Sequence, residues 1–266
     1  MSIIIFLIIL SLLVIVHELG HFLVARRFGI KVEEFGIGLP PKALKIFTWK
    51  GTPFTLNWLP FGGFVKIFGE NADTQVSDSE SFQSKNRWIQ ASVLVAGVFG
   101  NFIFAWFLFA IGLMIGMPGE ILGLSGEGIV QLFPHEAIWQ GLKVTAELTL
   151  LTGQALIQFI VEAVSGSADF SSVSGPVGIV GLIGEASALG FVYLMVFTAI
   201  ISINLAIINL LPFPALDGGR LLFVGIEAII RRPVPPRLFQ IVNAIGFIIL
   251  LGLMALVTGN DILKLL

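Results

Sequence analysis

The chain has 266 residues, 56% of them hydrophobic and only 12% charged, with a formal net charge of −2 and a mean hydropathy of +0.98. Soluble domains carry about 25% charged residues, so this composition excludes an ordinary soluble globule; the net charge gives no hint of nucleic acid, and no nucleic-acid partner is expected. Cysteine is absent; disulfides and thiolate metal ligands are therefore excluded, and any zinc must be held by histidine and carboxylate.

The expectation is an α-helical integral membrane protein, one domain over 1–266, with the lipid bilayer as its surroundings. A first span is predicted at about 3–24, long enough at about 1.5 Å per residue to cross a hydrocarbon core of about 30 Å. No basic stretch precedes it and no small-residue cleavage site follows, so it reads as a retained helix and not a removed signal peptide. Its last third reads Val14-Ile15-Val16-His17-Glu18-Leu19-Gly20-His21-Phe22. Positions four apart share a helix face, so His17 and His21 can offer two imidazoles to one ion. Glu18, beside the first of them, can take a proton from a metal-activated water. Coincidence is the competing explanation. It is weakened because two of the chain's three histidines lie here and because ionisable groups in apolar surroundings are costly unless functional.

Residues 25–90 form a polar connection. Leu39-Pro40-Pro41 breaks any helix, and 44–67 reads as strand: Leu44–Trp49 and Phe54–Trp58 flank a hairpin turn at Lys50-Gly51-Thr52-Pro53, and Phe61–Ile67 follows. The aromatics Phe47, Trp49, Phe54, Trp58, Phe61 and Phe64 suit a membrane interface, so this sheet is expected to dip into the bilayer. Residues 71–87 read as an exposed loop.

A second span is predicted at about 91–116, where Ala91, Ser92, Ala96, Gly97 and Gly100 allow close helix approach; Asn101 is polar at membrane depth and serves packing or the site equally well. Gly-rich 118–134 reads as loop, and His135 as a loop histidine. Residues 137–165, with Lys143, Glu147 and Glu162, are expected to form an interfacial amphipathic helix. Ser174-Gly175-Pro176-Val177-Gly178 reads as a turn. A third span at about 190–211 ends at Pro212 and Pro214, before Asp217-Gly218-Gly219, where the glycines free the backbone. A basic loop through Arg231 and Arg232 leads to a fourth span at about 238–257.

Charge distribution tests this count. With four spans, thirteen of the fifteen Lys and Arg fall in 25–90 and 212–237, leaving Lys143 and Lys264 on the other side. The positive-inside rule then puts both basic loops in the cytoplasm and both termini outside. His17, His21 and Asp217 share one depth on this scheme; a fifth span at 137–165 would separate them.

His17-Glu18-Leu19-Gly20-His21, together with Asn209-Leu210-Leu211-Pro212-Phe213-Pro214-Ala215-Leu216-Asp217-Gly218, resembles the site-2 proteases, intramembrane zinc metalloproteases of the bacterial regulator type. Phe35-Gly36-Ile37-Gly38, Leu59 to Lys66 and Ser174 to Ile179 are similar to further segments of that family, so the resemblance covers nearly the whole chain. It implies Zn²⁺ held by His17, His21 and Asp217, Glu18 as general acid and base, and Asn209 hydrogen-bonded to the substrate backbone. It also implies a single-pass membrane protein as substrate, a bacterial inner membrane, and an active site towards the cytoplasm. Signalling by cleavage of an anti-sigma factor and clearance of remnant signal peptides both fit.

Two departures stand out. Val98 follows Gly97 where the family usually has proline, and 118–136 is too short for the family's usual PDZ domain, since an independent domain needs at least about 50 residues. The resemblance implies peptide hydrolysis: zinc with three protein ligands activates a water, and Glu18 moves the proton to the leaving nitrogen. A zinc transporter lined by the same residue types would not explain Glu18 beside a ligand, and a binding protein that does not cut would not need Glu18 intact.

Overall fold

The structure, a computed structural model, describes residues 1–70, 78–119, 128–167 and 173–265. The elements in order are α1 (Ser2–Arg27), β1 (Val32–Trp49), β2 (Thr52–Ile67), α2 (Arg87–Ile115), β3 (Met117–Pro118), β4 (Ile129–Val130), α3 (Pro134–Ser165), α4 (Pro176–Leu189), α5 (Phe191–Leu210), α6 (Asp217–Ile230) and α7 (Pro236–Leu265). Among the described residues, five helices are long and apolar enough to cross a membrane: α1, α2, α3, α5 and α7. Four of them cover the expected spans to within one residue. The fifth, α3, covers the stretch expected at the interface and is the least apolar of the five. The protein is thus a helical, multi-pass membrane protein carrying a β-hairpin.

Three local expectations change. Pro176 does not lie in a free turn but opens α4, with Gly175 as its N-cap; proline suits the first helical position because its missing N–H has no helical partner to lose. Asp217 likewise opens a helix, α6, inside the stretch read as loop. Gly218 and Gly219 are needed there for close approach: an added Cβ would collide with the carbonyl oxygens of Leu210 and Leu211 at the first and of Phe213 at the second. The exposed loop expected at 71–87 lies outside the described residues over 71–77, as does the predicted Gly-rich loop over 120–127. The remainder of 71–87 is not uniformly exposed. Ser81 and Phe82 are buried, the Phe82 N–H donating to Phe68 O at 2.8 Å.

The chain divides into two compact units. One comprises Leu7–Gly100 and Ile208–Leu251. Its core joins Phe22, Ala25, Ile30, Val32, Phe35, Ile67, Phe82, Val93, Leu94 and Val224. The hairpin begins earlier than expected because Val32 and Phe35 are drawn into this core. Its two-residue turn, Lys50 and Gly51, takes φ of 48° and 86°, the left-handed pair whose twist matches the flanking strands. The hairpin folds on itself: Phe35, Gly36 and Ile37 pair with Val65, Phe64 and Gly63 on one side and with Phe54, Thr55 and Leu56 on the other. Phe61–Ile67 is thereby left as an edge. From Leu39 onward β1 is exposed, and Phe47, Trp49 and Trp58 stay outside the core.

The other unit comprises Met1–Phe6, Asn101–Ile207 and Gly252–Leu266. Ala105, Phe109 and Leu113 of α2 pack with Ala137 and Val144 of α3 and with Val196, Ala199 and Ile203 of α5. Asp261 of α7 accepts the N–H groups of Gly175 at 3.2 Å and Gly178 at 2.8 Å, capping α4 from outside its own sequence. Asn101 is fully buried, its carbonyl taking the Ser202 hydroxyl at 2.8 Å.

Candidate metal centre

Within the first unit, α1 presents His17 and His21 one turn apart, both buried. Asp217, 200 residues from His17, joins them from the first turn of α6. Asp217 Oδ2 lies 2.8 Å from His17 Nε2 and 3.2 Å from His21 Nε2, and the two Nε2 atoms are 3.1 Å apart. Tetrahedral zinc with bonds of about 2.0–2.1 Å separates its ligand atoms by roughly 3.3 Å, so the three donors need almost no adjustment to hold it. His21 Nδ1–H donates to Val93 O at 2.7 Å, which leaves Nε2 with its lone pair directed at the other two donors. Burial favours the neutral acid at Asp217, but the adjoining imidazoles outweigh it and hold its carboxyl well below the usual carboxylate range.

Space for this cluster comes from glycine. An added Cβ at Gly97 of α2 would collide with His21 Nε2 and lie 2.8 Å from His17 Nε2. Gly20, inside the helical motif, similarly admits the Ala96 carbonyl, and Gly100 lies against Val16 O. The small residues of α2 expected to allow close helix approach therefore do so against α1, at the donors themselves.

Glu18 is half-buried and contributes no atom to the three-residue group. Its Oε2 accepts the N–H of Val65 at 3.0 Å. That N–H belongs to the hairpin's edge segment, so β2 fixes the carboxylate next to the donors. Asn209 is half-buried in the last turn of α5 and, among the described residues, makes no hydrogen bond to the cluster. His135 lies in the first turn of α3, in the other unit, stacked on Phe133. Val93 and Val65 act through main-chain atoms, so no side-chain signal could have marked them; Gly97 was visible only as a small residue.

A chemically competent group thus has two imidazoles and one carboxylate for a metal, with a second carboxylate held beside them. The family model described as Peptidase family M50 matches residues 5–253. A Clostridium perfringens protein provisionally named a zinc metalloprotease is 32% identical, over 95% of this chain and 96% of its own length. A similarly named Campylobacter jejuni protein is 30% identical, over 97% and 92%. Zinc metalloprotease RasP of Geobacillus kaustophilus is 28% identical, over 99% and 98%. These alignments extend over 325, 341 and 413 residues, longer than the whole chain, so each relative has internal residues that this chain lacks.

Proposed function

The chain belongs to peptidase family M50, and from that premise we propose that it is an intramembrane zinc endopeptidase that cuts a single-pass membrane protein in or near its membrane segment. His17, His21 and Asp217 hold the zinc, and Glu18 is the general acid and base. The observation that carries this reading is the convergence of three donor atoms, from positions 200 residues apart, at separations of 2.8 to 3.2 Å.

When bound, zinc supplies Lewis acidity: it makes a water acidic enough to attack at neutral pH and polarises the peptide carbonyl. The rest falls to the chain. Val65 N–H keeps Glu18 oriented, so that the carboxylate receives the water's proton and returns it to the leaving nitrogen. Val93 holds His21 in the tautomer that leaves Nε2 to the metal. A membrane helix has its carbonyls engaged in its own hydrogen bonds and must unwind before attack. The edge segment Phe61–Ile67, next to Glu18, offers the unwound strand main-chain partners in place of water, apart from the Gly62 and Val65 N–H groups that Ser11 and Glu18 engage. Asn209 is assigned to the substrate backbone on the strength of the family resemblance.

We place the enzyme in a bacterial inner membrane with both termini outside and the site towards the cytoplasm, supported by the thirteen-to-two division of Lys and Arg. The cluster adds support. His21 lies near the C-terminal end of α1, and Asp217 just beyond the C-terminal end of α5. Helices whose C-terminal ends meet at one depth cross in the same direction, so an odd number of crossings separates them. α2 alone satisfies this; α3 could cross only if the 14-residue α4 crossed back. The reading therefore keeps α3 along the interface, with four crossings. Cleavage of an anti-sigma factor and clearance of remnant signal peptides both suit such a site.

The test uses the purified full chain with a single-pass test substrate. Asp217→Ala is expected to lose both bound zinc and cleavage. Metal content unchanged in this variant would remove Asp217 from the zinc and overturn the assignment.

A further inference from the structure

The turn Pro212–Leu216 delivers Asp217, and it does not hold its shape alone. Ala215 sits at φ 73°, in the left-handed region that side chains with a Cβ rarely adopt. Its N–H, two residues before Asp217, donates to Asn243 Oδ1 on α7 at 3.0 Å. Three residues further along α7, on the same face, Gly246 lies against Pro214: an added Cβ there would clash with the proline ring and stand 2.8 Å from Pro214 O. The turn is thus pressed onto α7 at one residue and hydrogen-bonded to it at the next. Beyond it the path to Asp217 is equally confined. Leu216 is the extended N-cap of α6, and Gly218 and Gly219 are packed against the carbonyls of Leu210, Leu211 and Phe213. A carboxylate on a helix's first residue moves with the turn that precedes it.

We infer that Asn243 and Gly246 are positioning residues for Asp217: α7 holds a strained turn in the one shape that brings the carboxylate to the two histidines. The inference rests on the reading of Asp217 as a zinc ligand. Neither residue touches the donors, and each acts through the backbone of Pro214 and Ala215. Ala215 explains why a helix is needed at all. A glycine at that position would adopt φ 73° without opposition, whereas alanine must be held there.

The experiment measures zinc affinity by competition with a chelator on the purified full chain, alongside kcat and KM for cleavage. Asn243→Leu removes the acceptor, and lost second-layer support of a metal ligand typically costs about 10–100-fold in affinity; a fall in that range is expected, with kcat reduced and KM little changed. Asn243→Asp keeps an acceptor oxygen in place and should retain most of the affinity. Ala215→Gly is expected to bind zinc like the parent and, combined with Asn243→Leu, to recover most of the loss. A purely structural role for Asn243 would instead give effects that multiply within about twofold. If Asn243→Leu does not fold, Gly246→Ala carries the same test, with a fall in zinc affinity expected. The inference is overturned if Asn243→Leu and Gly246→Ala bind zinc within about twofold of the parent, or if Ala215→Gly leaves the Asn243→Leu loss unchanged. Failure of the wider reading is distinguishable, because there Asp217→Ala itself would keep its zinc.

Discussion

Glu18 on α1 and Asp261 near the end of α7 are both carboxylates in apolar helices, each held by backbone N–H groups, and they are used in opposite ways. Asp261 spends both oxygens: Oδ1 takes Gly175 N–H and Oδ2 takes Gly178 N–H. It completes the first turn of α4, whose N–H groups have no partners within that helix. Glu18 spends one: Oε2 takes Val65 N–H, and Oε1 accepts no hydrogen bond from the described residues. An acid with both oxygens committed to a helix end is a structural element, because moving a proton onto it would break the cap. An acid held by one oxygen is oriented yet still has a face on which a proton can arrive and leave. The contrast separates chemistry from architecture better than charge, which both residues share, or burial, which is deeper at the structural Asp261 than at half-buried Glu18.

Substitutions at the two carboxylates and their partners tell the two roles apart. The largest effect is expected at Glu18→Gln, which keeps the Val65 hydrogen bond but cannot carry the proton. Cleavage should fall by about 10²–10⁴-fold, the usual worth of a general acid–base group, with zinc content and thermal midpoint unchanged. Cleavage at the parental rate would show that the free oxygen is not used. Next comes Val65→Pro, which removes the N–H that orients Glu18 at the edge of the hairpin, where proline is tolerated. A hydrogen bond to a charged group is worth about 1.5–3 kcal/mol, so cleavage should drop roughly ten- to a hundredfold while zinc stays bound. Loss of zinc in this variant would mean that the hairpin supports the donors and not the base. The smallest effect on catalysis is expected at Asp261→Ala. It should lower the thermal midpoint through loss of the α4 cap, with zinc affinity and kcat of the folded protein unchanged. A fall in kcat without a fall in midpoint would remove the distinction drawn between the two carboxylates.

Much of this fold is legible in order along the chain. Long, mainly apolar runs announce α1, α2, α5 and α7, since a span in lipid must satisfy its backbone internally and a helix of such residues does so. Lys50-Gly51-Thr52-Pro53 announces a hairpin, though the turn itself closes in two left-handed residues, Lys50 and Gly51. Gly218 and Gly219 show the opposite case. Read locally they are flexible, yet they lie in the first turn of α6 and are required by carbonyl oxygens from the end of α5 and the loop after it. The same failure hid α4, where Ser174-Gly175-Pro176-Val177-Gly178 reads as a turn until Asp261, 83 residues beyond Gly178, supplies the cap that lets a helix start.

The class, a multi-pass helical membrane protein, follows from the residues alone, as do two of the three donors that could hold a metal. His17, Glu18 and His21 are related by helical periodicity, and a period is a local property that survives without tertiary contacts. Tertiary structure decided the rest. It brought Asp217 to the imidazoles across 200 positions and assigned Val65 and Val93 to Glu18 and His21 through main-chain atoms that every residue possesses. It also set the Asp217 turn on Asn243 and Gly246 of a helix that looks, in sequence, like any other span. Periodicity reports which residues share a face, but the partner of that face is chosen by packing, and packing depends on the whole chain.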